Sequence, residues 1–394
     1  MARSATVRPS SPATPHVALL VETSLASGRD ILMGIARYVR EHRPWSLFHE
    51  ARGLEERLPR WLEGWRGHGI IARVQSPAMA RALRRTGLPV VDVLGIVPGS
   101  GFPVVHVDDA AIGSMAANHL LDRGLRHFAF YGLERENWST AREAAFCATV
   151  GREGLPVEVR RDRRHAVNDQ TWERHQEALT RWVAGLPKPV GIMVCSDQRG
   201  SLLLDACRRA GTAVPDEASI IGVDNDEPLC SVCHPPLTSV WPNHALVGYE
   251  AAALLQGLMS GSAASPARVR TPPKTIVTRQ STDTLAVTDE IVARSLRVIR
   301  DRACARLRVD DLARAVGASR SVLQRRFRAA LHCSINEKLI GHRLDTARRL
   351  LTETTLTLPD IAERSGFEHA EYMAYVFRRR VGISPAQFRA RTHH

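Results

Sequence analysis

Lysine is almost missing from this chain. Of its 54 basic residues only Lys188, Lys274 and Lys338 are lysine, so 51 are arginine. Arginine carries a planar fork of donors matched to carboxylates, phosphates and base edges, which a lysine does not. No apolar run approaches the ~18–20 residues of a membrane span, which excludes a bundle of membrane helices. Met1–Pro15 holds Arg3, Arg8, Pro9, Pro12 and Pro15 but no apolar core segment, so it reads as a leader without an export signal. Seven scattered cysteines, an odd number, do not make a disulfide framework. Reduced thiols in a cytoplasm are expected. No P-loop is present, and Gly99-Ser100-Gly101 follows a proline and opens no helix, so no dinucleotide loop is read. His106, Asp108, Cys195 and Cys207 lack metal partners at usable spacing. Cys230-Ser231-Val232-Cys233-His234 has haem-attachment spacing, taken as chance in a chain without an export signal. Cys147 and Cys195 carry no nucleophile signature. No cofactor, no metal and no enzyme activity are expected.

What is present is unevenly charged. The 394 residues suit two or three domains and carry a net charge of +13. Residues 284–394 hold 21 Arg/Lys and 12 Asp/Glu, hence +9, while the remainder holds 33 and 29, hence +4. A basic quarter on a nearly balanced body points to a polyanion partner for that quarter.

Up to about residue 283 apolar runs alternate with helical patterns. Val17–Val21, Gly69–Val74, Val90–Leu94, His127–Tyr131, Ile192–Cys195 and Ser219–Val223 read as strands. Arg29–Glu41, Ala110–Arg123, Ala141–Arg152, Thr171–Ala184 and Ser201–Ala210 read as the helices between them. Continuous apolar strands alternating with amphipathic helices imply parallel sheets covered on both faces, and the length suits two successive α/β lobes. Gly261–Pro273 is rich in Gly, Ser, Ala and Pro, and Thr275–Val277 is the last apolar run before a boundary near Asp283. The expected organisation is therefore a leader at 1–15, a two-lobed unit at 16–283 and an all-helical unit at 284–394.

The helical unit repeats internally. Leu312, Ala313 and Gly317 recur 49 residues later as Ile361, Ala362 and Gly366, and Phe327 and Ser334 recur 50 later as Phe377 and Ser384. Each copy, about 308–330 and 357–380, reads helix, glycine turn, helix. Ser334-x-x-Glu337 and Thr357-x-x-Asp360 have capping-box spacing. Leu339, Ile340, Leu344, Ala347, Leu350 and Leu351 form the stripe of a longer helix joining the copies. A helix–turn–helix places its second helix for entry into a major groove. With Val322, Leu323 and Phe327 turned inward, Ser319–Ala330 leaves Arg320, Ser321, Gln324, Arg325 and Arg328 outside, and Arg and Gln pair with guanine and adenine edges. The second copy, His369–Arg380, offers His369, Ala370, Glu371, Ala374 and Tyr375, then Arg378, Arg379 and Arg380. That set is poorer in base-reading groups and suits phosphate.

This segment resembles the paired helix–turn–helix domain of the AraC/XylS transcription regulators. The carrying residues are Arg343-Leu344, Ala347-Arg348, Leu350-Leu351, Ile361-Ala362, Ser365-Gly366-Phe367, Tyr372, Phe377 and Gly382-Ile383-Ser384-Pro385. The family often has a polar or basic residue where Tyr375 stands.

The front of the chain resembles the sugar-binding domains of periplasmic binding proteins and LacI/GalR repressors, through Trp138–Phe146, Cys195-Ser196-Asp197-Gln198 and Ile220–Asn225. The resemblance implies an interlobe cleft lined by Trp138, Arg142, Ser196, Asp197, Asp224 and Asn225. Arg142 and Asp224 would supply charge-assisted hydrogen bonds to a polyol and Trp138 or Trp241 an aromatic plate. Ser24, Ser27 and Arg29 of the first loop are weaker candidates. The order, sensor first and paired helix–turn–helix last, is similar to that of the xylose-operon regulator family. It implies a pentose-responsive activator, dimeric through its sensor, with double-stranded DNA, a sugar effector and RNA polymerase as partners and no membrane. A transport sugar-binding protein and a dinucleotide-dependent enzyme are the alternatives. The basic quarter argues against the first and the missing glycine fingerprint against the second.

Overall fold

The computed structural model describes residues 14–42, 44–50, 59–163, 169–262, 268–283, 289–331 and 333–392. Most of the expected leader, residues 1–13, lies outside them. The chain divides into two compact units, Met1–Asp283 and Thr284–His394.

The first unit runs β1 His16–Leu20, α1 Ala26–Glu41, β2 Ser46–His49, β3 Gly69–Ala72, α2 Pro77–Arg85, β4 Val90–Asp92, β5 Val104–Val107, α3 Asp109–Leu121, β6 His127–Leu133 and α4 Asn137–Arg152. It continues with β7 Val157–Asp162, α5 Asp169–Gly185, β8 Val190–Val194, α6 Asp197–Ala210, β9 Ala218–Val223, α7 Glu227–Val232, β10 Thr238–Trp241, α8 His244–Met259, β11 Arg268–Thr271 and β12 Thr275–Val277. The strands form two six-stranded sheets, ordered β11-β5-β4-β3-β1-β2 and β12-β10-β9-β8-β6-β7. All pairings are parallel except β10 with β12. Central strands such as Gly69–Ala72 and Val190–Val194 are buried at every position, as a sheet covered on both faces requires.

The chain passes between the lobes at Val107–Asp109, Trp241–His244 and Thr271–Thr275. β5 and β11 belong to the first sheet and β10 and β12 to the second, while α3 packs on the second and α8 on the first. Backbone bonds tie these crossings together: Asp108 N–H donates to Thr271 O at 2.8 Å and Lys274 N–H to Trp241 O at 2.9 Å. α1 and α8 cross closely because each carries a glycine at the contact. A methyl group on Gly34 would meet the Ala245 carbonyl oxygen at 1.9 Å, and one on Gly248 the Ile31 carbonyl oxygen at 2.0 Å.

Several bounds differ from those read in the sequence. α1 begins at Ala26, α4 at Asn137 and α6 at Asp197, each ahead of the expected start, because polar first turns hide the helical period. Ser27 and Arg29 thus sit on a helix rather than in a loop. β2, β5, β7, β10 and β11 are not among the expected strands; β5 and β10 are short, and β2, β7 and β11 are sheet edges whose residues are largely half-buried or exposed, interspersed with charge in β7 and β11.

The second unit is helical: α9 Glu290–Arg302, α10 Val309–Val316, α11 Arg320–Leu331, α12 Ile335–Glu353, α13 Leu358–Arg364, α14 Ala370–Val381 and α15 Pro385–Thr392. It has two small cores. Leu312, Val316, Leu323 and Phe327 pack with Val292 and Ile299 of α9, and Ile361, Phe367, Met373 and Phe377 form the other. α12 serves both: Ile335 and Leu339 enter the first core, Leu344, Ala347 and Leu351 the second. Capping boxes at Ser334/Glu337 and Thr357/Asp360 start α12 and α13. Val322, expected inward, is only half-buried.

Candidate functional site

The first unit encloses a cavity of about 540 Å³ at the carboxyl ends of the strands of both lobes. Ligand crevices of open α/β sheets lie in this place, because loops there are free of the sheet's hydrogen bonding. Of the residues singled out in the sequence, Ser27, Trp138, Arg142, Ser196 and Asp224 line it. Arg142 reaches in from α4 and is 3% exposed. Its Nε donates to Asp109 Oδ1 at 2.8 Å, a terminal nitrogen donates to the Cys195 carbonyl at 2.6 Å, and its guanidinium lies 4.9 Å from the Trp138 ring centroid. Burial alone would raise the Asp109 carboxyl, but Arg142 and His106 outweigh it and hold it below the usual carboxylate range. The Trp138 indole N–H donates to Glu136 at 2.8 Å, which fixes the ring beside the guanidinium.

Asp224 stands directly after β9 with φ +110°, followed by Asn225 at +49°. These are costly values for side-chain-bearing residues, and such strain concentrates at ligand clamps. The turn is pinned from outside the cavity. Asn225 N–H donates to Ser239 Oγ at 3.0 Å and Asn225 Oδ1 accepts from Arg279 at 2.8 Å. Asp197 accepts from Ser239 Oγ at 2.7 Å, from Asp226 N–H at 2.9 Å and from Cys230 Sγ at 3.3 Å. Burial, with the Asp224 charge beside it, pushes the Asp197 carboxyl up to about 8. Asp197 and Asn225 are therefore outside the cavity lining, with their polar atoms engaged in holding the Asp224 turn. Ser24 is exposed and also outside the lining. Trp241 is not a free plate: the Lys274 ammonium sits 4.1 Å from its ring centroid. Arg29 instead links the lobes, 3.7 Å from Asp226, and Asn137 Nδ2 donates to the Gly95 carbonyl across the cleft at 2.8 Å.

Several lining residues were missed in the sequence. Arg73, at the end of β3, pairs closely with Glu22 and donates to Ser27 Oγ at 3.2 Å. Its signal was legible: a charge inside the apolar run Ile70–Val74 has to find a partner. His106 interrupts Val104–Val107 in the same way and lies 3.4 Å from Asp109. His244, 3% exposed at the start of α8, lies 3.5 Å from Asp224, and burial lowers its basicity. Neither imidazole makes a hydrogen bond among the described residues. Each faces a carboxylate carried by the other lobe's element at a crossing between lobes.

In the second unit Arg320, Ser321, Gln324, Arg325 and Arg328 are all exposed along α11. Arg320 pairs with Asp310 of α10 at 3.2 Å, while Gln324 and Arg325 make no hydrogen bond or ion pair among the described residues. On α14 and its cap His369, Glu371, Tyr375, Arg378, Arg379 and Arg380 are exposed and Ala370 is half-buried. Tyr372 and Tyr375 are 50% and 59% exposed, two aromatic rings beside three arginines. The Arg379 guanidinium donates to Tyr375 Oη at 3.4 Å and Arg380 lies 3.9 Å from Glu337.

Known families match in the same arrangement. Residues 16–106 match a XylR N-terminal domain, 117–282 a periplasmic binding protein-like domain and 312–391 a helix-turn-helix domain. The xylose operon regulatory protein of Haemophilus influenzae is 30% identical over 381 residues, 95% of this chain and 97% of that protein. That of Escherichia coli K12 is 30% identical over 382 residues, 95% and 96%. The solved structure of a xylose-binding transcription activator, xylR, superposes with a TM-score of 0.77 at 28% identity, covering 96% of this chain and 98% of that one. No described helix is long and apolar enough to cross a membrane. With a sugar-binding type of sensor, a paired helix–turn–helix unit and relatives matched along almost their whole length, the chain belongs to the family of xylose operon regulatory proteins: it is a DNA-binding transcription regulator, not an enzyme.

Proposed function

We propose that the protein is a cytoplasmic, xylose-responsive activator of sugar catabolic genes. The observation that supports this best is the cluster in the cleft. Arg142 is buried and charge-neutralised beside Trp138, opposite the strained Asp224. Planar donors, an acceptor and an aromatic face within one crevice suit a small polyol. Xylose bridging the lobes favours the closed form, and closure shifts the population of DNA-competent arrangements. The sensor at 16–283 forms the homodimer, the unit at 284–394 binds the operator, and RNA polymerase is contacted from there. Gln324 and Arg325 read bases, whereas Arg378 and Arg379 hold phosphate.

Calorimetry with D-xylose tests the cleft. Arg142→Ala and the isosteric Asp224→Asn each remove a charge-assisted hydrogen bond and should weaken binding by about ten- to a hundredfold. Unchanged affinity in the folded variants, shown by an unaltered melting profile, overturns the assignment.

A further inference from the structure

Asp224 and Asn225 leave β9 in left-handed conformations, and such values persist only where the surroundings over-determine them. One group that holds them comes from the far end of the sensor sequence. Arg279 follows β12, 54 residues beyond Asn225. Its guanidinium acts as a fork: one terminal nitrogen donates to Asn225 Oδ1 at 2.8 Å and the other to the Leu237 carbonyl at 3.0 Å. Both acceptors are neutral oxygens. Arg279 lies outside the cavity lining, so it touches the clamp and not the ligand space.

The same residue opens the last stretch of the sensor unit. Its backbone N–H donates to Thr238 Oγ1 at 2.8 Å, and its carbonyl accepts from that hydroxyl at 2.9 Å. Gln280–Thr282 then forms a short 3₁₀ turn. Ser281 Oγ donates to the Ile220 carbonyl at 2.6 Å and accepts from Thr238 N–H at 2.8 Å. Thr282 Oγ1 donates to Thr238 Oγ1 at 2.9 Å, and the Thr282 carbonyl accepts from Arg123 Nε at 2.6 Å. Thr238, Ser281 and Thr282 are fully buried. Asp283 ends the sensor unit and Thr284 begins the helical one. A continuous set of hydrogen bonds therefore runs from the Asp224 turn through Arg279 to the point where the chain leaves the sensor. Buried polar groups are costly to leave unpaired, so a shift at one end is met by a shift along the set rather than by a broken bond.

We propose that Arg279 is the positioning residue that couples the sugar clamp to the exit of the sensor, passing a change in the Asp224–Asn225 turn to residues 279–282 and so to the chain that enters the helical unit. The inference goes beyond the sugar reading of the cleft and rests on it. The fork is what the coupling needs. Its two acceptors belong to different elements, the turn after β9 and the approach to β10, and the single ammonium of a lysine does not present two donors in that fixed plane.

The test measures the coupling between the two ligands on the full chain. Affinity for a DNA fragment that the wild type selects from random sequences is titrated without sugar and at D-xylose concentrations that saturate each variant by calorimetry. The ratio is the coupling factor, and saturation makes it independent of a partial loss of sugar affinity. The wild type should show a factor of about ten or more. Arg279→Gln and Arg279→Lys should each bring it below about two and leave the sugar-free DNA affinity and its salt slope unchanged. Asn225→Ala removes the same bond from the other side, so it should cause the same loss, and combining it with Arg279→Gln should cause no more. A full coupling factor in either folded Arg279 variant, even with a lowered melting temperature, gives Arg279 a merely structural role and overturns the relay while leaving the sugar reading intact. Additive losses in the double variant also overturn it. If the wild type binds no D-xylose, or binds it with no change in DNA affinity, the xylose-responsive reading falls and this inference falls with it.

Discussion

Arg142 and Arg325 both sit on helices of this arginine-rich chain, but the first is 3% exposed and held by Asp109, while the second lies in the open on α11 with no partner among the described residues. The contrast extends to the surrounding units. In the sensor, three arginines at the cleft are neutralised in place: Arg73 by Glu22, Arg142 by Asp109, Arg29 by Asp226. On α11 and α14 guanidinium groups line exposed faces, and their ion pairs, Arg320–Asp310, Arg326–Asp289 and Arg380–Glu337, lie open to solvent. A buried, paired guanidinium has directional donors and little net field, which suits a neutral polyol. An exposed, unneutralised row has a strong field that salt screens, which suits a polyanion. Residue type alone does not distinguish these uses; the placement of carboxylates does.

The helical repeats sharpen the comparison within one unit. Gly317 and Gly366 hold corresponding turns at φ +69° and +84°. Open space surrounds Gly317, whereas a methyl group on Gly366 would lie 2.7 Å from both the Ala303 carbonyl oxygen and Cys304 Cα. Gly317→Ala should cost about 1–2 kcal/mol, the left-handed penalty alone. Gly366→Ala should cost about 3 kcal/mol or more, because backbone has to move as well. Urea denaturation of the two variants checks this, and equal losses would show that Ala303–Cys304 yields freely.

The division between base reading and phosphate gripping makes the next largest difference. Gln324→Ala or Arg325→Ala should cost about 1–3 kcal/mol at the preferred site and relax selection at one base pair. Selection of binding sites from random DNA by each variant reads this. An unchanged preference would mean that α11 grips phosphate only.

The effect per pH unit is smaller in the sensor and concerns a carboxyl without a cation. Asp197, raised to about 8 by burial and by Asp224, keeps its proton in the folded state where the unfolded chain has lost it. Its stabilisation is therefore present at low pH and lost as pH rises through about 8. Between about pH 6 and 8 it should lower stability by up to about 1.4 kcal/mol per pH unit as pH rises. Asp197→Asn should flatten that part of the profile. Parallel profiles for wild type and variant would show an ionised Asp197.

Much of this was legible in the sequence because burial on both faces of a sheet leaves continuous apolar runs, and because the glycine-turn repeat is regular. The edge strands β2, β7 and β11 were not, since four to six half-exposed residues, interspersed with charge in β7 and β11, give a pattern no stronger than a loop's. In the cleft, Trp138, Arg142 and Asp224 were found through resemblance, and Arg73 and His106 were readable as polar interruptions of apolar runs. Asp197 and Asn225 could not be told from lining residues, because strand-end carboxylates and amides either face a ligand or staple the turn that does. Trp172, His175 and Arg199, which also line the cavity, come from first turns and mid-helix positions with no local signature. Their convergence exists only in three dimensions.

The central claim is that neutralised charge in the sensor senses sugar while open charge on the helical unit binds DNA. It is tested most directly by titrating operator DNA with wild type, Trp138→Ala and Arg379→Ala over a salt series, with and without D-xylose. Trp138→Ala should lose the xylose response and keep the wild-type salt slope. Arg379→Ala should keep the response and lower the slope by about one unit. A changed slope in Trp138→Ala, or a lost xylose response with an unchanged slope in Arg379→Ala, would contradict the account.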